Sequence, residues 1–390
     1  MDRREFLGAA VAAGAVCAVG ACSSGGRGAR ADSNVATLAN FSQPEPVAAA
    51  GGEWINLPTP PVTARAQATW CSNGELVLFA GGQTWPGAQR LNDAALFDPR
   101  INEWRRTAQV PEAAAGETHA VWDGERFFLL SSDDSEHHLF DYSVVEDKWT
   151  RRAPAGVFGF QGLDLVLLPD GRLLGLSGAG GDRVMGPFGQ LYDPDNDRWV
   201  TLPEPPLANY RSRPIVDGRD RDELRVWFIG GSWSEGGQSI DRFEPTRGFV
   251  LRPDADEPWT AVDFGTDTEL RYGARFGGVA AGVCFDEASQ HGVLRAIDLD
   301  SGQVKDSSLP AAVDEVVVMA TEQGDDPERT WLVSSRSRAL VGKGQRRWLL
   351  PDNGFGSSAS AVDVALAGGH VVLWARAGDV SRGRMLRLPT

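Results

Sequence analysis

The sequence predicts an all-β protein assembled from a repeated unit, and three observations carry that expectation. The phrase "FDPRINEW" at residues 97–104 returns as "YDPDNDRW" at 192–199, with weaker echoes as "FDYSVVEDKW" from Phe140 and "FEPTRGF" from Phe243. Trp54, Trp104, Trp149, Trp199 and Trp259 are spaced by 50, 45, 50 and 60 residues, the mark of a repeat architecture. Beyond the first residues no stretch sustains a helical apolar period, whereas Asn-Gly, Asp-Gly and Pro-Asp pairs punctuate short apolar runs.

Each unit reads in the same order. A short strand of small residues leads into a turn such as "SNGEL" or "PDGRL", where glycine and asparagine tolerate the positive φ of a tight hairpin. An apolar strand ending in glycines follows, clearest in "LVLFAGG" at 76–82, "LLGLSGAGG" at 173–181 and "RVWFIGG" at 225–231. After a loop come an aromatic-acidic strand, a second turn and the tryptophan strand. The 89 residues from Trp259 to Trp348 hold two units, with "GQVKDSSLP" from Gly302 midway, where the tryptophan has been replaced. After Trp348 only 42 residues remain, enough for three strands at about 358–366, 369–375 and 384–388. The lone tryptophan strand "EWINLP" at 53–58 has no unit before it, so it is expected to complete the last one. A ring closed in this way leaves no open sheet between its ends to template aggregation.

Four antiparallel strands per unit, paired glycines ending the second and an aromatic in the fourth resemble the kelch repeat. The resemblance covers 53–390 and is strongest in the first, third and fourth units; the fifth and sixth lack the double glycine. It implies a seven-bladed β-propeller, with six or eight blades left open by the soft limits of the fifth unit. On this reading Phe97, Trp104, Trp149, Tyr192, Trp199 and Trp348 pack and seal the seams between blades.

The chain ends carry a different message. Arg3 and Arg4 precede Phe6, Leu7 and a small apolar run over 9–21, too short to span a bilayer. The pattern resembles bacterial twin-arginine export signals, which carry folded proteins. The run ends in "VGAC", which resembles a lipobox and implies lipidation of Cys22. The expected organisation is a signal over 1–21, a flexible tether over 22–52 and the propeller over 53–390, with the protein lipid-anchored outside the cytoplasm in a bacterial envelope. The tether is rich in Gly, Ala, Ser and Pro, and flexible-chain scaling gives it a reach of roughly 30 Å.

Net charge is −15, and removing the signal takes two acids and two bases, so the excess persists. Nucleic acid and anionic membrane surfaces are disfavoured as partners of the body. In the mature body only Cys71 and Cys284 remain, which excludes a disulfide framework. Two buried free thiols are expected, a single bridge between them being the alternative.

No nucleophile elbow, phosphate loop or dinucleotide fingerprint is present. No metal or other cofactor is expected, because His137 and His138 would point to opposite faces of a strand while His119, His291 and His370 stand apart. Galactose oxidase shares the kelch propeller, but its copper site needs paired tyrosines, a tyrosine linked to cysteine and two histidines. The four tyrosines here, Tyr142, Tyr192, Tyr210 and Tyr272, do not supply that set.

In a kelch propeller the loops joining second to third strands and those joining blades share one face around the channel. This places Arg65, Glu117 with His119, Gln161 with Asp164, Tyr210 with Arg211 and Arg213, Tyr272 with Arg275, and Asp314 with Glu315 near one mouth. Trp85 and Trp233 join them, following their double glycines at nearly the same offset. Indoles beside arginines suit a sugar ring or an acidic ligand. The expected ligand-binding set is Arg65, Trp85, His119, Tyr210, Arg211, Trp233, Tyr272 and Arg275. The primary expectation is a non-catalytic module binding a carbohydrate or a protein. The alternative is a sugar isomerase, since a bacterial sialic acid mutarotase is similar in fold and anomer exchange needs only a positioned acid and base.

Overall fold

The computed structural model describes residues 48, 49 and 51–388, except 66–67, 85–88, 113–117, 133–136, 156–160, 179–188, 204–207, 211–213, 219–220, 230–231, 235–246, 266–269, 271, 287–290, 311–315, 322–329, 336–337, 344–345, 356–360 and 378–379. All regular elements among the described residues are strands, arranged as seven blades of four antiparallel strands.

Two strands precede the ring, β1 (Ala48–Ala49) and β2 (Ile55–Asn56). Blade 1 holds β3 (Thr69–Ser72), β4 (Val77–Ala80), β5 (Ala95–Asp98) and β6 (Glu103–Arg106). Blade 2 holds β7 (Thr118–Trp122), β8 (Arg126–Ser132), β9 (His137–Ser143) and β10 (Lys148–Arg151). Blade 3 holds β11 (Gln161–Leu167), β12 (Leu173–Gly178), β13 (Gly189–Asp193) and β14 (Arg198–Thr201). A short pair, β15 (Ala208–Tyr210) and β18 (Ser232–Ser234), accompanies blade 4, made of β16 (Pro214–Asp217), β17 (Arg225–Ile229), β19 (Arg247–Leu251) and β20 (Trp259–Asp263). Blade 5 holds β21 (Tyr272–Phe276), β22 (Val279–Asp286), β23 (His291–Asp298) and β24 (Val304–Ser308). Blade 6 holds β25 (Val316–Thr321), β26 (Trp331–Ser335), β27 (Ala339–Lys343) and β28 (Arg346–Leu349). Blade 7 is built from both ends of the chain: β29 (Ala361–Ala367), β30 (His370–Ala377), β31 (Val380–Arg387) and β2.

The expected closure is therefore present. Ile55 and Asn56 pair antiparallel with Met385 and Arg384, and β29 packs beside β3 to complete the ring. Composition alone did not mark β1, which lies in the segment read as tether yet pairs parallel with Trp348 and Leu349 as a fifth strand of blade 6.

The turns form as their residues dictate. Asn73 Oδ1 accepts from the amides of Glu75 and Leu76 at 3.0 and 2.7 Å, with Gly74 at φ +91°. Asp123 does the same for Glu125 and Arg126, with Gly124 at φ +107°. The double glycine closing β4 also has a physical cause. Gly81 lies at φ +69°, and a Cβ there would meet the Thr118 side chain of blade 2 at 2.8 Å.

Apolar layers fill the seams. The layer between blades 1 and 2 includes Leu78, Leu96, Phe127, Phe140 and Trp149, and equivalent layers occupy the other six seams. The repeated phrase explains how the seams are fastened. Each Trp104, Trp149, Trp199 and Trp259 indole N–H donates to the carbonyl four residues past the preceding tryptophan: Pro58, Ala108, Ala153 and Pro203, at 2.8, 3.0, 2.8 and 2.9 Å. Trp54 donates to Pro351 at 2.9 Å, three residues past Trp348 and four past Arg347.

Two seams carry a second clasp. The Tyr142 hydroxyl donates to Asp147 at 2.6 Å, and the same carboxyl oxygen accepts the Ala108 amide at 3.0 Å. Tyr192, Asp197 and Ala153 repeat this at 2.6 and 2.9 Å. Ala108 and Ala153 are thus held through both N–H and C=O. Where the held residue is Pro58, which has no N–H, the phrase carries Phe97 and Asn102 instead. Asn102, Asp147 and Asp197 all adopt positive φ, a conformation that Asn and Asp tolerate better than other side-chain residues.

Two expectations need correction, and a third holds in a changed form. Cys71 is disulfide-bonded and Cys284 is a buried cysteine outside any disulfide, so the expected pair of thiols is not found; the partner of Cys71 lies outside the described residues. Trp348 packs in a seam as expected, but not the seam that the other tryptophans would suggest. It packs with Trp54 in the seam toward the following blade, because a one-residue offset places Arg347 on the opposite side. In blade 4 the residue opposite the fourth-strand Trp259 is Leu251, so "FEPTRGF" does not supply the aromatic of that position; Phe243 itself lies outside the described residues.

Candidate binding face

The topology gives the ring two unlike ends. Loops joining second to third strands and one blade to the next emerge at the mouth face, while first-to-second and third-to-fourth turns emerge at the turn face. Most mouth-face loop residues lie outside the described residues, including Trp85, Arg211, Glu117, Arg213, Asp314 and Glu315.

Arg65 is placed by blade 1 but is not offered to solvent. Its guanidinium donates to the carbonyls of Gly81 and Asp93 at 2.9 and 2.7 Å, pairs with the Asp93 carboxylate and lies over Phe79 at 5.1 Å. Burial holds its pKa below the ordinary arginine value even with Asp93 beside it. Burial pushes Asp93 up, but the Thr63 amide and the Arg65 charge outweigh this and hold the carboxyl below its usual range. This cluster pins the entry to the ring.

Arg275 belongs to the other end. It is the penultimate residue of β21, three positions past Tyr272, which is roughly 10 Å along a strand. There Arg275 Nη1 lies 3.4 Å from Asp217, a fully buried carboxylate that also holds Arg225 at 2.5 Å, and Arg225 reaches Asp300 of blade 5 at 3.2 Å. The group closes the turn-face end of the seam between blades 4 and 5. Asp217 was not singled out from sequence, and its only signal was the turn it precedes.

His119 and Asp164 do come together. They sit on the innermost strands of blades 2 and 3, with His119 Nδ1 3.3 Å from Asp164 Oδ1 and side chains 17% and 21% exposed. Val121, two residues on from His119, packs in the same seam, as strand alternation requires. His137 and His138 diverge as expected. His137 is buried, while His138 Nδ1 lies 3.1 Å from Arg151 Nη2, and Arg151 pairs with Glu112.

Beside blade 4 lies a further strand pair. In β15 and β18 Asn209 pairs with Trp233 and Tyr210 with Ser232, in register with the pairing of Pro214 and Phe228 four residues further on. β15 and β18 form their own two-stranded sheet, with a register that matches that of the inner hairpin of blade 4. Tyr210 and Trp233 occupy neighbouring rungs of this pair. Their side chains, and that of Tyr272, lie outside the described residues.

Among the described residues, no group of three or more His, Cys, Asp or Glu is arranged to hold a metal ion. No protein-family model matches this chain, and neither does any curated protein.

Proposed function

We propose that this chain is an exported, lipid-anchored propeller of the kelch type whose mouth face binds a carbohydrate or a protein partner without catalysis. One observation carries the reading: a separate two-stranded pair, β15 and β18, lies on the loop side of blade 4 in register with its inner hairpin and holds two aromatic residues, Tyr210 and Trp233, of a kind suited to ring stacking. The propeller supplies a rigid frame for such loops, where function concentrates. The kelch assignment is supported by the four-stranded blades, the positive-φ glycine pair after β4 and the repeated indole clasp. The test is a Cys22-truncated protein applied to glycan arrays and to envelope extracts with crosslinking. Saturable binding supports the proposal, and absence of both glycan and protein partners refutes it.

The anchor is tested separately. Cleavage and lipidation at Cys22 would remove Cys17 and place the Cys22 sulfur in a thioether, so the anchored form would differ at Cys71 from the disulfide-bonded state of this structure. Mass spectrometry of the mature N-terminal peptide is expected to show a diacylated Cys22, and Cys22→Ala is expected to leave the membrane fraction. Replacing Arg3 and Arg4 by lysine is expected to stop export. The sugar-isomerase alternative needs a positioned acid and base at the mouth, and Arg275, one of the residues expected there, is engaged with Asp217 at the turn face.

A further inference from the structure

The outer strands of the blades differ in charge. Over the third and fourth strands and the turn between them, each of blades 1 to 5 carries at least two acids and nets between +1 and −2. Blade 6 carries Lys343, Arg346 and Arg347 there and no acid, and in blade 7 β31 and β2 hold Arg382, Arg384 and Arg387 and no acid. Lys343, Arg346, Arg382 and Arg387 are exposed. Among the described residues none of these four has a carboxylate partner, and the polar partners of Arg382 are the carbonyls of Gly354 and Phe355 at 3.3 Å. By contrast Arg100, Arg126, Arg151, Arg152 and Arg172 of blades 1 to 3 all pair with acids. Nor does folding explain the excess. Lys343 and Arg346 stand directly opposite each other across the β27–β28 hairpin, where like charges destabilise. β2 covers only Arg384 and Met385 of β31, leaving Arg382 and Arg387 beyond its ends, and Ile55 adds an aliphatic side chain 49% exposed to the same edge.

We propose that the outer flank of blades 6 and 7 is the side this propeller turns to the membrane, where Lys343, Arg346, Arg382 and Arg387 dock on anionic phospholipid headgroups. The proposal rests on the lipid-anchor reading for the nearness of a bilayer. The N-terminal stretch reaches the ring on this same flank, because β1 runs along β28 and β2 along β31. The net charge of −15 counts against such a surface for the body as a whole, but contact is decided locally. Blade 3 stands opposite in a ring of seven, and with blades four strands deep at about 4.8 Å per strand its acidic outer strands lie more than about 28 Å away. In the adjoining blades 1 and 5, Asp98, Asp300 and Asp306 are each paired with an arginine. Salt screens exposed charges beyond about 8 Å at physiological strength, whereas each cation held at an anionic surface contributes about fivefold in affinity.

The experiment sediments the chain from residue 23 onward, which keeps every described residue and carries neither the signal nor Cys22, with vesicles of phosphatidylcholine alone or mixed with phosphatidylglycerol. Binding to the mixed vesicles is expected to be stronger by at least about tenfold and to vanish as salt rises from about 0.1 M to about 1 M. Replacing the four cations by glutamate is expected to abolish it. The same change at Lys148, Arg198, Arg252 and Lys305, in blades 2 to 5, is expected to lower it by less than about threefold. Thermal melts check folding, and a glutamine set takes the place of the glutamate set if the latter unfolds. Equal binding to both vesicle types, or equal loss in the two sets, overturns the inference. Salt-sensitive self-association in light scattering without vesicle binding also overturns it, and assigns the flank to the acidic blades of a second copy. The mass of the Cys22 peptide judges the anchor separately. A lipidated Cys22 with no vesicle binding by the body overturns this inference alone, whereas vesicle binding through the four cations with an unmodified Cys22 supports the surface and refutes the anchor.

Discussion

The seam between blades 2 and 3 and the seam between blades 5 and 6 solve one packing problem with different residues. In the first, Trp199 enters from the fourth strand, donates to Ala153 and is joined by the Tyr192 and Asp197 clasp. In the second, the tryptophan comes from the second strand. Trp331 is 2% exposed, and Arg347 crosses from β28 to donate to Ser307 of β24 at 3.0 Å while lying over the Trp331 ring at 5.9 Å. The seam between blades 4 and 5 likewise takes Trp227 from a second strand and has Val304 where other blades have a fourth-strand tryptophan. A propeller seam therefore requires a large flat side chain more strictly than it requires that side chain to come from one strand.

The comparison can be broken at either seam. Trp331→Ala should have the largest effect, about 3 to 5 kcal/mol in denaturant unfolding, because it empties a fully buried site beside Gly342. That glycine is tied to the indole, since a Cβ on it would stand 2.1 Å from the Trp331 ring. Loss of less than 1 kcal/mol would mean the seam does not depend on its tryptophan. A smaller effect, about 1 to 2 kcal/mol, is expected for Trp149→Phe, which keeps an aromatic ring but removes the donor to Ala108.

Smaller again is the clasp, which should show itself in acid. The Tyr142 hydroxyl, followed by the Ala108 amide, holds Asp147 below the usual carboxylate range. At Asp197 burial pushes up, but the Ala153 amide and the Tyr192 hydroxyl outweigh it. Both folded values are depressed, so the stability they add is complete above the unfolded value near pH 4 and is lost as pH falls through the folded ones. Thermal melts should drop between pH 5 and pH 2 more in wild type than in a Tyr142→Phe, Tyr192→Phe variant. Equal drops would assign acid lability elsewhere. In the same structure Tyr142 and Tyr192 are held well above the ordinary phenol value, first by burial and then by the adjacent carboxylate.

How far the sequence reaches differs between the scaffold and the site. Blade number, strand order and closure by "EWINLP" follow from periodicity, because every blade repeats one set of turn and seam constraints. The positions that escaped are those where tertiary context substitutes for pattern. Arg347 and Trp348 differ by one residue, and only the strand pairing decides which of them faces blade 5. Arg65 and Arg275 were legible as arginines near innermost strands, but their partners Asp93 and Asp217 lie 28 and 58 residues away and consume their charge. His119 and Asp164 were both marked as polar residues of innermost strands, yet nothing in their spacing stated that they would meet across a seam. Trp85 and Trp233 were marked by their offset from double glycines, a local signal that survives without knowledge of the fold.

The account's central claim is that the mouth face binds while the repeated aromatics only hold the ring together, and Trp233→Ala beside Trp104→Ala tests it most directly. Trp104 donates to Pro58 and packs with Phe97, Trp70 and Trp374 in the closing seam, whereas Trp233 belongs to the short strand pair beside blade 4. Thermal melts and binding isotherms against the ligand captured on the array give both readouts. The predicted result is that Trp233→Ala melts near wild type and loses about 1 to 3 kcal/mol of binding, as an exposed anchor does, while Trp104→Ala loses about 3 to 5 kcal/mol of stability. If Trp233→Ala melts as badly as Trp104→Ala, or binds as well as wild type, the mouth-face assignment is contradicted.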